Sequence, residues 1–125
     1  MSEQENRDAL ERFVQAFRQR DANAIAELVH DDVVEEYPQS AERIRGKQNY
    51  LRIFENIPVM PNVIVYRFTV SGDLTVAERI DEYNGNRSYN TAISEMEDGK
   101  VKRTRQYFAV LFEAPGWRSR WIERM

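Results

Sequence analysis

The chain has no cysteine, which removes disulfide staples, thiol nucleophiles and thiolate metal sites in one step. His30 is its only histidine, and the carboxylate run Asp31, Asp32, Glu35 and Glu36 lacks the ligand spacing of a calcium loop. No metal is therefore expected. No apolar run approaches the ~20 residues of a membrane span. The first turns are studded with Glu, Arg and Asp and leave no apolar core for a signal peptide. Neither charge sign dominates: 18 basic residues face 21 acidic ones, a net charge of −3, whereas a nucleic-acid binder carries a clear positive excess. A glycine-rich phosphate loop and a G-x-S-x-G element are both missing, which sets aside nucleotide and serine-hydrolase chemistry. These absences leave a soluble, cytoplasmic protein with no cofactor, no nucleic acid and no membrane among its expected partners.

What is present fits one domain spanning residues 1–125, long enough to bury a core without staples. Leu10, Phe13, Val14 and Phe17 recur at helical spacing between Gln4 and Arg20, and mark one stripe of an amphipathic helix. Asp21 is placed to cap a second, shorter helix through His30, with Ile25, Leu28 and Val29 continuing the stripe. Asp32 to Tyr37 reads as a short strand stopped by Pro38, expected at a sheet edge, and Gln39 to Arg45 as irregular. Lys47 to Ile57 predicts a third helix with Tyr50, Ile53, Phe54 and Ile57 on one face, ended by Pro58 and Pro61.

Beyond Pro61 the period falls from 3.6 to two. Strands are expected over Val63–Val70, Leu74–Tyr83, Arg87–Glu97 and Lys100–Phe112, with turns at Gly72-Asp73, Asn84-Gly85-Asn86 and Asp98-Gly99. On the last strand Thr104, Gln106, Phe108, Val110 and Phe112 share one face, read as core and pocket wall. Trp117 and Trp121 are four apart, as if one helical turn presented both rings to the sheet or to another subunit. Helices followed by consecutive antiparallel strands predict an α+β domain. Within it, Ala77-Glu78-Arg79-Ile80-Asp81 puts Arg79 and Asp81 on one face of a strand. Facing outward they are ordinary solvated charges; facing inward they are a costly pair that needs hydrogen bonds or a chemical use.

The order of elements resembles the nuclear transport factor 2-like superfamily, in particular its SnoaL-like branch. Leu28-Val29-His30-Asp31-Asp32-Val33-Val34, Arg45-Gly46-Lys47-Gln48, Asp98-Gly99-Lys100-Val101 and Gln106-Tyr107-Phe108 carry the likeness. It implies a cone: three N-terminal helices packed on a strongly curved, mostly antiparallel sheet. The open end leads to an apolar pocket for a small, largely apolar ligand, with Phe13, Phe17, Tyr37, Phe54, Tyr83 and Phe108 as substrate-binding candidates. It also implies a homodimer joined through the sheet. The fold hosts isomerases, epoxide hydrolases, cyclases and non-catalytic binders alike, so function has to come from the site.

Ketosteroid isomerases of this superfamily need an aspartate where this chain has Tyr37, a tyrosine at Phe13 and a second acid at Ile93. That activity is not expected. Limonene epoxide hydrolases carry Thr-Glu-Arg-Val-Asp where this chain has Ala77-Glu78-Arg79-Ile80-Asp81. The likeness implies that Asp81 protonates an epoxide oxygen while Arg79 orients it. Their second aspartate, the base toward water, is replaced here by Gln106, which can position water but cannot take its proton. Their water-positioning residues on the first strand fall at Val34 and Glu36, so Glu36 is the expected base. The expected catalytic set is Asp81, Arg79, Gln106 and Glu36; the alternative use of the same pocket is non-catalytic ligand binding.

Overall fold

The computed structural model describes residues 2–125, apart from the side chain of Val65. Helix α1 runs over Glu3–Arg18 and α2 over Ala22–Leu28, leading straight into strand β1, Val29–Tyr37. Strand β2 (Glu42–Arg45) and helix α3 (Lys47–Glu55) follow, then β3 (Asn62–Ser71), β4 (Leu74–Tyr83), β5 (Asn86–Glu97) and β6 (Lys100–Val110). A 3-10 turn at Gly116–Trp121 ends the regular structure. The six strands form one mixed, mostly antiparallel sheet in the order β2-β1-β6-β5-β4-β3. Only β1 and β6 pair in parallel. Register shifts interrupt three ladders, near Val29/Val34, Val63/Val65 and Glu95/Met96. Such bulges bend and twist a sheet, which is how this one curves around the helices.

The helices begin where their capping chemistry says they should. Ser2 accepts from the Glu5 amide and donates to its side chain, a reciprocal cap at the start of α1. Asp21 accepts from the Ala24 amide at the start of α2. Leu10 and Val14 of α1, Ile25 and Leu28 of α2, and Phe68 and Met96 of the sheet meet in the core. Polar ties fix α1 along β3: Asn6 donates to the Gly72 carbonyl and Asp73, Arg7 to the Phe68 carbonyl, and Arg18 to the Val63 carbonyl. These contacts also cover an otherwise open sheet edge.

Four expectations need correction. Strand β1 is interior, flanked by β2 and β6; the missing neighbour was β2, whose Glu42, Arg43 and Arg45 are exposed and whose single apolar residue, Ile44, is buried. One buried position in four gives too little alternation to announce a strand. His30 lies in β1 and not at the end of a helix, because Val29 already adopts extended backbone. Val110 and Phe112 do not continue the pocket wall: the β5–β6 ladder stops at Ser88↔Val110, and both side chains are exposed. Trp117 and Trp121 do not form one surface on an α-turn. In a 3-10 turn of three residues, positions four apart diverge by about 120°, and each ring has its own arginine near it, Arg118 and Arg120.

Candidate functional site

Strand alternation decides which side chains enter the hollow between sheet and helices. On β4 Ala77, Arg79, Asp81 and Tyr83 face it, and on β6 Thr104, Gln106 and Phe108 do. On β1 the inward residues are Glu35 and Tyr37. The hollow is a cavity of about 590 Å³, within the range of small-molecule sites, roughly 300–1,000 Å³. All six aromatic residues expected at the wall line it: Phe13, Phe17, Tyr37, Phe54, Tyr83 and Phe108. Phe17 meets Phe54 with ring centroids 5.8 Å apart, and Tyr37 meets Phe108 edge-on at 5.5 Å. Gln39 fastens the turn after β1 to the end of β6, donating to the Phe108 carbonyl at 2.8 Å and accepting from its amide at 2.6 Å.

A continuous chain of polar side chains crosses this apolar wall. Tyr37 donates to Glu35 Oε2 (3.3 Å), and Gln106 Nε2 donates to Glu35 Oε1 (2.7 Å). Arg79 Nη2 donates to Gln106 Oε1 (3.1 Å) and, with Nε, to Asp81 Oδ2 (3.3 and 3.4 Å). Asn90 donates to the same Asp81 oxygen at 2.5 Å. Arg79 and Gln106 lie two strands apart, with β5 between them. Ala92, paired with Ala77 on one side and Gln106 on the other, is small enough to let the guanidinium pass over it. The partners also fix the Gln106 amide, since turning it over would set donor against donor at Arg79 and acceptor against acceptor at Glu35.

Both carboxylates are enclosed, Glu35 at 3% exposure and Asp81 at 2%. Burial raises the Glu35 pKa above its ordinary value, against the pull of hydrogen bonds from Gln106 and Tyr37 and the charge of Arg79. Burial likewise raises the Tyr37 hydroxyl, with the neighbouring Glu35 adding to it. Asp81 keeps one oxygen, Oδ1, without a partner, and so does Asn90 beside it.

Asp81, Arg79 and Gln106 are thus brought together as the sequence suggests, and Glu36 is not. Glu36 projects from the opposite face of β1 and pairs with Arg43 across the β1–β2 ladder at 2.8 Å. That hydrogen bond lowers its carboxyl below the usual range. The second acid of the site is its neighbour Glu35. The β1–β6 register shift lies just before Val34, and a slip of one residue exchanges the faces of a strand. An ungapped reading of β1 therefore arrives one residue late. Ile93 is not a cavity residue either, since its neighbours Ala92 and Ser94 are the ones that line it. Asn90 carries no local signal of its own; its contact with Asp81 depends on the β4–β5 register, which only the structure supplies. Among the described residues no group of three or more His, Cys, Asp or Glu side chains is arranged to hold a metal.

Residues 10–104 match the family model of the SnoaL-like domain. The chain belongs to this family. No curated protein sequence matches the chain. Among solved structures, this SnoaL-like domain is similar to an NTF-2 like protein of unknown function from Burkholderia xenovorans LB400. The two are 37% identical with a TM-score of 0.88, over 98% of this chain and 97% of that one. A Kribbella flavida protein provisionally described as a ketosteroid isomerase is 25% identical, with a TM-score of 0.91 over 98% and 90% of the two chains. An LEH-like epoxide hydrolase of M. tuberculosis is 25% identical, with a TM-score of 0.72 over 84% and 83%. The SnoaL-like fold thus accounts for the cone, and the polar chain lies along its inner wall.

Proposed function

We propose that this SnoaL-like domain is a cofactor-independent acid–base enzyme acting on a small, largely apolar molecule, with hydrolytic epoxide opening as its sharpest form. The observation that carries this reading is the pair of buried carboxylates, Glu35 and Asp81, joined through Gln106 and Arg79 on one wall of an apolar cavity. The 25% identity to the LEH-like epoxide hydrolase supports it.

Glu35 takes a proton from water, whose oxygen attacks one epoxide carbon. The carbon–oxygen bond breaks, and Asp81, having first taken up a proton from solvent, gives it to the leaving oxygen. Water is added across the ring to give a vicinal diol, and a proton returning from Glu35 to Asp81 through solvent resets the site. A base whose pKa is lifted by burial is better matched to neutral pH than an ordinary carboxylate. Gln106 orients Glu35, and Arg79 stabilises the Asp81 carboxylate left after proton transfer. Wild type is expected to turn over at least one member of a panel of small alkyl and cycloalkyl epoxides, and Asp81→Asn to be slower by about 100-fold or more, the usual scale of general-acid loss. Equal rates in the two proteins would remove the role given to Asp81. Binding of apolar probes without turnover of any epoxide would point to a non-catalytic ligand carrier.

We also propose that two copies join through the outer sheet face, opposite the cavity. Tyr89 and Tyr107 stand exposed there, and the C-terminal segment that follows β6 also exposes Phe112, Trp117 and Trp121, at 81%, 74% and 75%. Light scattering is expected to give twice the 14.8 kDa chain mass, and Tyr107→Glu to give the single-chain mass. A wild-type monomer at tens of micromolar would contradict it.

A further inference from the structure

The helical side of the cavity is hydrocarbon with one exception. Helix α1 contributes Leu10, Phe13, Val14 and Phe17, and α3 contributes Ile53 and Phe54. Tyr50, one turn before Phe54 on the same helix face, brings the only hydroxyl on that side among the described residues. Among those residues no side-chain hydrogen bond holds it. Burial raises its pKa well above the ordinary value, the nearby Glu35 and Tyr37 add to this, and Arg79 opposes it. The hydroxyl therefore stays protonated, and it lines the same cavity as Glu35 and Arg79.

On the sheet side the acceptors of the polar chain each receive at least one hydrogen bond: both Glu35 oxygens, Gln106 Oε1 and Asp81 Oδ2. Donors are left unused beside them. Arg79 spends Nε and Nη2 on Asp81 and Gln106, and its Nη1 has no partner among the described residues. Tyr83 adds a second hydroxyl held protonated by burial and by the charge of Asp81. A ligand that fills such a cavity gains by bringing an acceptor for these donors.

We propose that Tyr50 Oη and Arg79 Nη1 form a two-donor seat for one ligand oxygen. The cavity then selects a small apolar molecule bearing an acceptor oxygen, an epoxide, ketone or ether, over the hydrocarbon of the same shape. This deepens the acid–base reading and rests on it, but it is a statement about binding and is tested without turnover.

The test is calorimetric titration of cyclooctanone and cyclooctane into wild type and Tyr50→Phe. Wild type is expected to bind the ketone about tenfold more tightly than the hydrocarbon. Tyr50→Phe is expected to lose about three- to tenfold in ketone affinity, the factor of one hydrogen bond, with cyclooctane affinity unchanged. A ketone-to-hydrocarbon ratio near one in wild type overturns the proposal without any variant being needed. So does equal ketone affinity in both proteins, or a parallel loss for both probes, which would mark Tyr50 as a packing residue. Failure of wild type to bind either probe overturns this proposal together with the acid–base reading. The expected split without turnover of any epoxide sustains the seat and removes only the catalytic assignment.

Discussion

Replacing Glu35 by glutamine is expected to make the protein more stable at pH 8 and to abolish its turnover. Glu35 is enclosed, and burial raises its carboxyl above the ordinary 4.5. The folded chain therefore holds this proton more tightly than the unfolded chain does. That favours folding fully below about pH 4.5, and the advantage is lost as pH rises through the higher folded value. At pH 8 an ionised carboxylate sits in a poor solvent. Glutamine is neutral at every pH. Its oxygen still accepts from Gln106, and the Tyr37 hydroxyl can turn to accept from the new amide. The stability gap between variant and wild type should open with rising pH: near zero at pH 4, and on the order of 1–2 kcal/mol in favour of the variant at pH 8. Urea midpoints at the two pH values measure it. A gap that does not grow with pH would mean that Glu35 is not held as described. The same base needs its charge for catalysis, so wild-type turnover should fall as pH drops through the raised value.

Loss of Arg79 is expected to have the largest effect on stability. Among the described residues it is the only cation hydrogen-bonded to Asp81, and it anchors the Gln106 oxygen. Arg79→Met leaves Asp81 buried with Asn90 as its remaining partner, and breaking a buried pair from one side costs about 3–5 kcal/mol. Against a typical total of about 5–15 kcal/mol, that brings the protein near its threshold. Arg79→Lys keeps a charge but gives up the planar fork that reaches Asp81 and Gln106 together, so an intermediate loss is expected. The decisive comparison is the double variant with Asp81→Asn. With no carboxylate left at position 81, removing Arg79 should cost at least 1–2 kcal/mol less than it does in wild type. Additive losses would show that the two residues are not energetically coupled.

Much of this architecture is legible in the residues themselves. The 3.6-residue stripe of α1, the Asp21 cap and the hairpins at Asn84-Gly85 and Asp98-Gly99 are local signals, and they sit where they should. Arg79, Asp81 and Gln106 were also legible, because their positions on long, regular strands make parity dependable. What local pattern cannot supply is pairing between distant segments. Strand β2 owes its existence to a partner rather than to its own composition. Glu35 and Glu36 are adjacent acids in a carboxylate run, and the choice between them turns on an irregularity in the β1–β6 ladder. Tyr50 was visible on its helix face, but a hydroxyl without a partner is a property of the assembled cavity.

The pairing of β1 with β6 also sets the order in which the molecule can be assembled. Strands β3 to β6 join neighbours through short turns, whereas Glu35 and Gln106 meet across 71 positions of sequence. Closing that span costs chain entropy before any contact repays it, which favours forming the hairpins before β1 docks. The carboxylate that β1 carries enters the site only with this final closure. A chain caught just short of it has most of its sheet and one acid in place, and no partner for that acid to work with.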